Sequence, residues 1–296
     1  MKYYILIFVA LLGALILITS CGDDEAGCVE SSWYEDADGD GLGNPDVSQS
    51  ACEQPSGFVS DNSDPDDTNS VSAAASTPLS AFDEFNPDAV TISFDGDEIT
   101  IESNGLPNHT SPYWEDTETL YSDQIVGDHL TPGKIRSGSF SVTLPASPEL
   151  ALTSSATGLG AIGISVTGAP IFNDQERANM PLDVQTAGGF DYAGGHVGPS
   201  GYHYHIESSD VEENTVLSFD DEQLVGIMAD GFLLYGRKEM DGSYPADLDE
   251  SGGHFGATQH SNGEEIYHYH IINEYYINTY ILLFGGDLQG TPNSIR

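Results

Sequence analysis

Two five-residue stretches, Tyr202-His203-Tyr204-His205-Ile206 and Tyr267-His268-Tyr269-His270-Ile271, repeat one alternating pattern. Alternation at period two commits each stretch to an extended strand, with histidines on one face and tyrosines on the other. A Gly-Gly-His triplet precedes each copy, at Gly194-Gly195-His196 and Gly252-Gly253-His254, so six of the nine histidines fall into two matched sets. Histidines two apart on a strand share a face about 7 Å apart, close enough to hold one ion with a third ligand from elsewhere. His196, His203, His205, His254, His268 and His270 are therefore the expected ligands of a transition metal, with Zn, Cu and Fe all suited to imidazole. Two three-histidine sites and one shared site are both open at this level. His196 and His254 are expected in glycine-rich loops. Neutral imidazole ligands predict metal release as the pH falls through about 6.5 to 5. The competing reading is structural: tyrosines in the core, with histidines bonded to loop carbonyls and gripping the Asp191 and Asp249 loops.

The duplication is wider than these stretches. Residues 162–172 align with 225–235, and 190–198 with 248–256, so two repeats run over about 162–206 and 225–271. Val90 to Phe94, the Asp95-Gly96 turn and Ile99 to Ile101 read as a hairpin, and Ser139 to Leu144 as a further strand. No segment carries a 3.6-residue apolar period, and 33 glycines punctuate the chain. The expected fold class is all-β, a sandwich- or barrel-like domain containing an internal duplication, preceded by a small acidic metal-binding module. Outside the six histidines, His109 is the candidate ligand or general base, with Asn104 and Asn108 placed to orient a substrate. His129 and His260 read as surface residues, and Asp230 as a turn residue. No phosphate loop, serine elbow or Cys-His pair is visible, which leaves nucleophilic catalysis without support.

Asn104-Gly105-Leu106-Pro107-Asn108-His109, Asp230-Gly231-Phe232-Leu233-Leu234-Tyr235-Gly236, Leu248-Asp249-Glu250-Ser251-Gly252-Gly253-His254 and both histidine-tyrosine stretches resemble the YHYH protein family. The resemblance covers roughly residues 85–292 and names a domain without naming a reaction. Family members tend to carry Cys at the position of Ser251 and another near Leu283; their joint absence here implies a disulfide lost as a pair.

The N-terminus reads as a separate story. Lys2, the apolar run Ile5 to Ile18 and the small residues before Cys21 form a signal peptide over 1–20. Ile18-Thr19-Ser20-Cys21 resembles the bacterial lipobox, which implies lipidation of Cys21 and a membrane partner reached through that lipid. Gly22-Asp23-Asp24-Glu25 resembles the surface-export signal of some Gram-negative lipoproteins. The expected location is the cell envelope, lipid-anchored at the outer membrane, with surface-facing and periplasm-facing placements both open. Two cysteines remain, Cys28 and Cys52, and an oxidising compartment predicts a disulfide between them. Residues 21–67 form the acidic module. Asp36, Asp38 and Asp40 stand at alternate positions before Gly41, with Leu42 at the place that offers a backbone carbonyl in calcium loops. Asp61, Asp64, Asp66 and Asp67 supply a second acidic group, so calcium is the expected ion. Val47 occupies the place of the bidentate Glu, so the loop is not an EF-hand. From Trp33 to Asp67 the module resembles a short metal-binding motif of secreted bacterial proteins and, more loosely, thrombospondin type 3 calcium repeats. Residues 68–84 have linker composition and 85–296 form the large domain.

Charge excludes one class of partner. With 48 Asp and Glu against 7 Lys and Arg, the net charge is −41. A chain without a basic face has nothing to displace counterions from phosphates, so nucleic-acid binding is not expected. Three functions stand at this stage: a transition-metal and calcium-binding envelope lipoprotein, a metal-dependent hydrolase or oxidase on an extracellular substrate, and a non-catalytic adhesion module.

Overall fold

The computed structural model describes residues 30–37, 43–60, 62, 77–123, 127–176, 180–208 and 217–296. Cys21, Cys28, Asp38, Asp40, Leu42, Asp61, Asp64, Asp66 and Asp67 lie outside the described residues. Of the acidic module, β1 (Ser31–Glu35), β2 (Ser48–Ala51) and β3 (Phe58–Val59) form a small antiparallel sheet in the order β2-β1-β3. Cys52, just after β2, is disulfide-bonded, and its partner lies outside the described residues. No helix among the described residues is long and apolar enough to cross a membrane.

The hairpin expected around Asp95-Gly96 is present as β4 (Val90–Asp95) and β5 (Glu98–Ser103), and β6 (Phe140–Pro145) extends it to three strands. The rest is built from β7 (Leu150–Ser155), β8 (Gly163–Ser165), β9 (Pro170–Ile171), β10 (Gln175–Glu176), β11 (Met180–Pro181), the one-turn helix α1 (Val184–Ala187), β12 (Gly195–Gly198), β13 (Gly201–Tyr204), β14 (Leu224–Met228), β15 (Leu233–Tyr235), β16 (Gly253–Ala257), β17 (Glu265–His270) and β18 (Leu288–Gly290). Eight of these make one mixed sheet in the order β12-β13-β9-β8-β14-β15-β17-β16. The all-β expectation holds, with two sheets packed face to face.

That strand order is the duplication made visible. Outward from the centre, one half reads β8, β9, β13, β12 and the other β14, β15, β17, β16, which are the aligned strands of the two repeats. The central pair is antiparallel with Ile164 opposite Ile227, two residues that the repeat alignment equates. A local twofold axis normal to the sheet therefore passes between them. Register is conserved on both sides of it: Ile171 pairs with Tyr204 as Leu234 pairs with Tyr269, and His196 faces His203 as His254 faces His268.

Alternation then sorts the side chains. Tyr202, Tyr204, Tyr267 and Tyr269 enter one core with Met228, Leu234 and Phe284. On the opposite face Ile164, Ile227 and Leu233 pack against Ile99, Ile101, Val142 and Leu144 of the three-stranded sheet. The three-stranded sheet thus covers the centre of the histidine face. The two histidine sets flank it near the edges of the large sheet. Five strand spacings separate β13 from β17, about 24 Å along the sheet.

His196 and His254 sit on β12 and β16, not in loops, because each pairs across the edge hairpin with the YHYH strand. The glycines before them have distinct tasks. Gly194 and Gly252 each adopt φ +83, open to glycine at little cost. A Cβ on Gly195 would lie 2.5 Å from the Tyr202 hydroxyl, and one on Gly253 would strike the Tyr267 hydroxyl. Gly253→Ala is accordingly expected to destabilise by about 2–3 kcal/mol through overpacking. Chemical denaturation reads this directly, and a midpoint equal to wild type would remove the close-approach explanation.

Candidate metal centres

Each repeat closes its own site. Glu176, His196, His203 and His205 converge in the first, and Glu239, His254, His268 and His270 in the second, with the four donor atoms of each set within 4.8 Å of one another. The single shared centre is thereby excluded among the described residues. In the first site His196 Nε2 lies 3.1 Å from His203 Nε2 and 2.9 Å from Glu176 Oε1, and His205 Nε2 lies 3.3 Å from the same oxygen. In the second, His268 Nε2 is 3.3 Å from His254 Nε2 and 3.0 Å from His270 Nε2; Glu239 stands 3.2 Å from His254 and 3.6 Å from His270. Donors bound tetrahedrally at zinc distances are about 3.3 Å apart, so a single ion fits between these atoms.

Backbone carbonyls decide which nitrogen faces inward. His203 Nδ1 donates to Gly201 O and His268 Nδ1 to Ile266 O; His205 Nδ1 donates to Asn173 O and His270 Nδ1 to Gly236 O. These acceptors are themselves aligned positions of the two repeats. With the proton held on Nδ1, each neutral imidazole turns an Nε2 lone pair toward the centre. His268 and His270 thus face each other lone pair to lone pair at 3.0 Å, an arrangement that calls for a cation. His205 Nε2 is buried and makes no hydrogen bond. Gly198 and Gly256, each two residues after the strand histidine, make room: a Cβ there would approach His203 Cε1 to 2.7 Å, or His254 Cε1 and His268 Cε1 to 3.2 and 3.3 Å.

The electrostatics agree. Burial, reinforced by the neighbouring imidazole of His270, pushes His268 down to about 3. Burial lowers His270 to about 4 against the help of its carbonyl partner. His203 is pushed well below the usual range by burial and by His205 and His196, and His196 is lowered by burial. All four are held neutral at pH 7, as metal ligands must be. The two carboxylates differ. Burial opposes ionisation of Glu176, but its close contacts with the His196 and His205 imidazoles together outweigh it and hold the carboxyl low. At Glu239 the histidine contacts are longer, and burial raises it.

Neither glutamate was among the expected ligands. Both follow strands β9 and β15, where no motif marks them. The signal was nevertheless in the repeat: continuing the 162–172 and 225–235 alignment without a gap for four residues places Glu176 on Glu239.

The other face of the YHYH strands is a separate polar network. Asp191 accepts from Tyr202 at 2.8 Å, from Ser111 at 2.5 Å, and from the backbone N–H groups of Ala193 and Gly195. Asp249 does the same for Tyr267 at 2.6 Å and for the N–H groups of Ser251 and Gly253. It is therefore the tyrosines, not the histidines, that grip the Asp191 and Asp249 loops. Tyr204 bonds Thr167 and Tyr269 bonds Asp230, aligned positions again. Asp230 is buried and also accepts from the Gly290 and Phe232 N–H groups, which explains its place beyond turn geometry.

His109 joins neither metal set. It is buried on the tyrosine side, with Nε2 2.8 Å from the Tyr204 hydroxyl and Nδ1 2.8 Å from Thr110 O. Asn104 serves its own turn, accepting from the Leu106 N–H and donating to Asp88 O. His260, expected on the surface, is buried because its Nδ1 is 2.9 Å from the Tyr235 hydroxyl. His129 stays half-exposed beside Asp128.

With two convergent sets in place, the comparison with known families adds a name for the domain. Residues 141–245 match the YHYH protein family. The matched span holds Glu176, Glu239 and the three histidines of the first repeat; His254, His268 and His270 lie beyond it and are joined to it by the duplication. Ser251, where the family resemblance implies a cysteine, lies against Gly286. No curated protein and no solved structure gives a significant match to the chain.

Proposed function

We propose that this chain is an envelope lipoprotein whose YHYH domain binds two transition-metal ions, one per repeat, each through three histidine Nε2 atoms and one glutamate. The single observation that supports it most is the pair of inward-facing lone pairs, His268 against His270, whose protons are committed to carbonyls on the other side of each ring. A mixed imidazole and carboxylate set suits Zn, Fe or Cu. The signal peptide and Cys21 supply the anchor at the outer membrane, and the Asp36, Asp38 and Asp40 loop supplies a separate calcium site on the strength of its sequence.

Metal analysis of tag-free protein after supplementation is the test. About two equivalents of transition metal are expected, falling to about one in the His268→Ala/His270→Ala variant. A wild-type content under about 0.2 equivalents would overturn the reading.

A further inference from the structure

The two centres share donors and differ in what surrounds them. Glu176 and His196 form part of the wall of a cavity of about 690 Å³ that also includes Thr131, Asp183, Gln185 and Met180. A hollow of that size with mixed polar and apolar walls is in the range that admits a small organic molecule. At the second centre the donor that borders a hollow is His270, and that hollow is about 220 Å³.

The outer partners differ too. In the second centre every imidazole is fixed from behind: His268 and His270 by carbonyls, and His254 by Asp247 at 2.9 Å. In the first, His203 and His205 have their carbonyls, but His196 Nδ1 is buried with no hydrogen-bond partner. Binding an ion through Nε2 forces the proton of His196 onto that orphaned nitrogen, which weakens it as a ligand. The ring behind each site follows the same division. Tyr235 is tied by its hydroxyl to His260 and Thr258, whereas its counterpart Phe172, with no hydroxyl, makes ring contacts, stacking on His203 at a centroid distance of 3.9 Å and meeting His205 edge-on.

Building on the two-metal reading above, we infer that the centres have divided their roles. The first is the weaker, exchangeable one, and its ion takes a small nitrogen- or oxygen-donor molecule from the adjoining cavity. The second is the tighter, structural one.

Cobalt(II) titration of the tag-free full chain, followed by visible absorption, tests this with azide as the probe ligand. Two classes of site separated by about 10–100-fold in affinity are expected, as loss of an outer partner entails. Azide should alter the spectrum of the weaker class alone. That response should survive in His268→Ala/His270→Ala and vanish in His203→Ala/His205→Ala. Asp247→Ala, a change at an exposed side chain, should weaken the tight class about tenfold and leave the other untouched. Two equal affinities, or an azide response shared by both sites or by neither, would overturn the division while leaving two-metal binding intact. Failure to bind any cobalt would overturn both.

Discussion

Removing the metal is expected to lower the thermal unfolding midpoint by about 15–30 °C, the largest single effect available in this protein. The reasoning is linkage: an ion held at a thousand times its dissociation constant stabilises by about 4 kcal/mol per site, and a domain of this size shifts by about 2–4 °C per kcal/mol. Chelation followed by a melting scan, with recovery on adding metal back, is the measurement. A midpoint unmoved by both steps would show that the donor sets contribute to stability as a hydrogen-bonded network instead. The pH dependence of the stripped protein has a definite sign. His268 and His270 sit at about 3 and about 4 when folded and near 6.5 when unfolded, so the unfolded chain binds more protons between those values. Their preference for the neutral form leaves stability intact above about pH 6.5 and removes it progressively as the pH falls toward 4, on the order of several kcal/mol. For the loaded protein the same depression delays proton competition, so metal retention should extend below the window of about 6.5 to 5 that unperturbed imidazoles imply.

The second large effect is Asp191→Ala, expected to cost about 4 kcal/mol or more, against about 1–2 kcal/mol for Asp249→Ala. Both carboxylates play the same part in their repeats, each accepting from a YHYH tyrosine and from two N–H groups of its loop. They differ in burial. Asp191 is 2% exposed and also holds Ser111, whereas Asp249 is exposed, so water can replace it there. Removing Asp191 takes the acceptor from the Ser111 hydroxyl and two N–H groups inside the core and leaves the Tyr202 hydroxyl only His109 Nε2, at 3.4 Å. Paired denaturation curves give the comparison with its own internal control. Equal losses at the two positions would mean that burial is not what sets the cost.

Much of the site was legible before the fold. The division of histidines from tyrosines follows from strand stereochemistry at each of the two stretches. The grouping of six histidines into two matched sets and the β4-β5 hairpin were readable in the same way. The strand position of His196 and His254 was not, because Gly-Gly-His has the composition of a loop. It becomes a strand when the next strand's tyrosine settles over the second glycine. The burial of His260 likewise depends on Tyr235, 25 residues away in sequence, turning its hydroxyl toward it.

By itself the sequence determined which side chains share a face and how many copies of the unit exist, since alternation and a repeated pattern are read along the chain without knowing what packs against it. Only the tertiary structure decided that the histidines form two separate clusters and that each includes a glutamate. Those outcomes depend on β13 lying parallel to β9 and β17 to β15, pairings across long connections, and on β8 meeting β14 about a twofold axis. That axis carries the two histidine sets to opposite flanks of the sheet. The parallel pairings bring Glu176 and Glu239, just beyond β9 and β15, to the inward-facing nitrogens of the histidines.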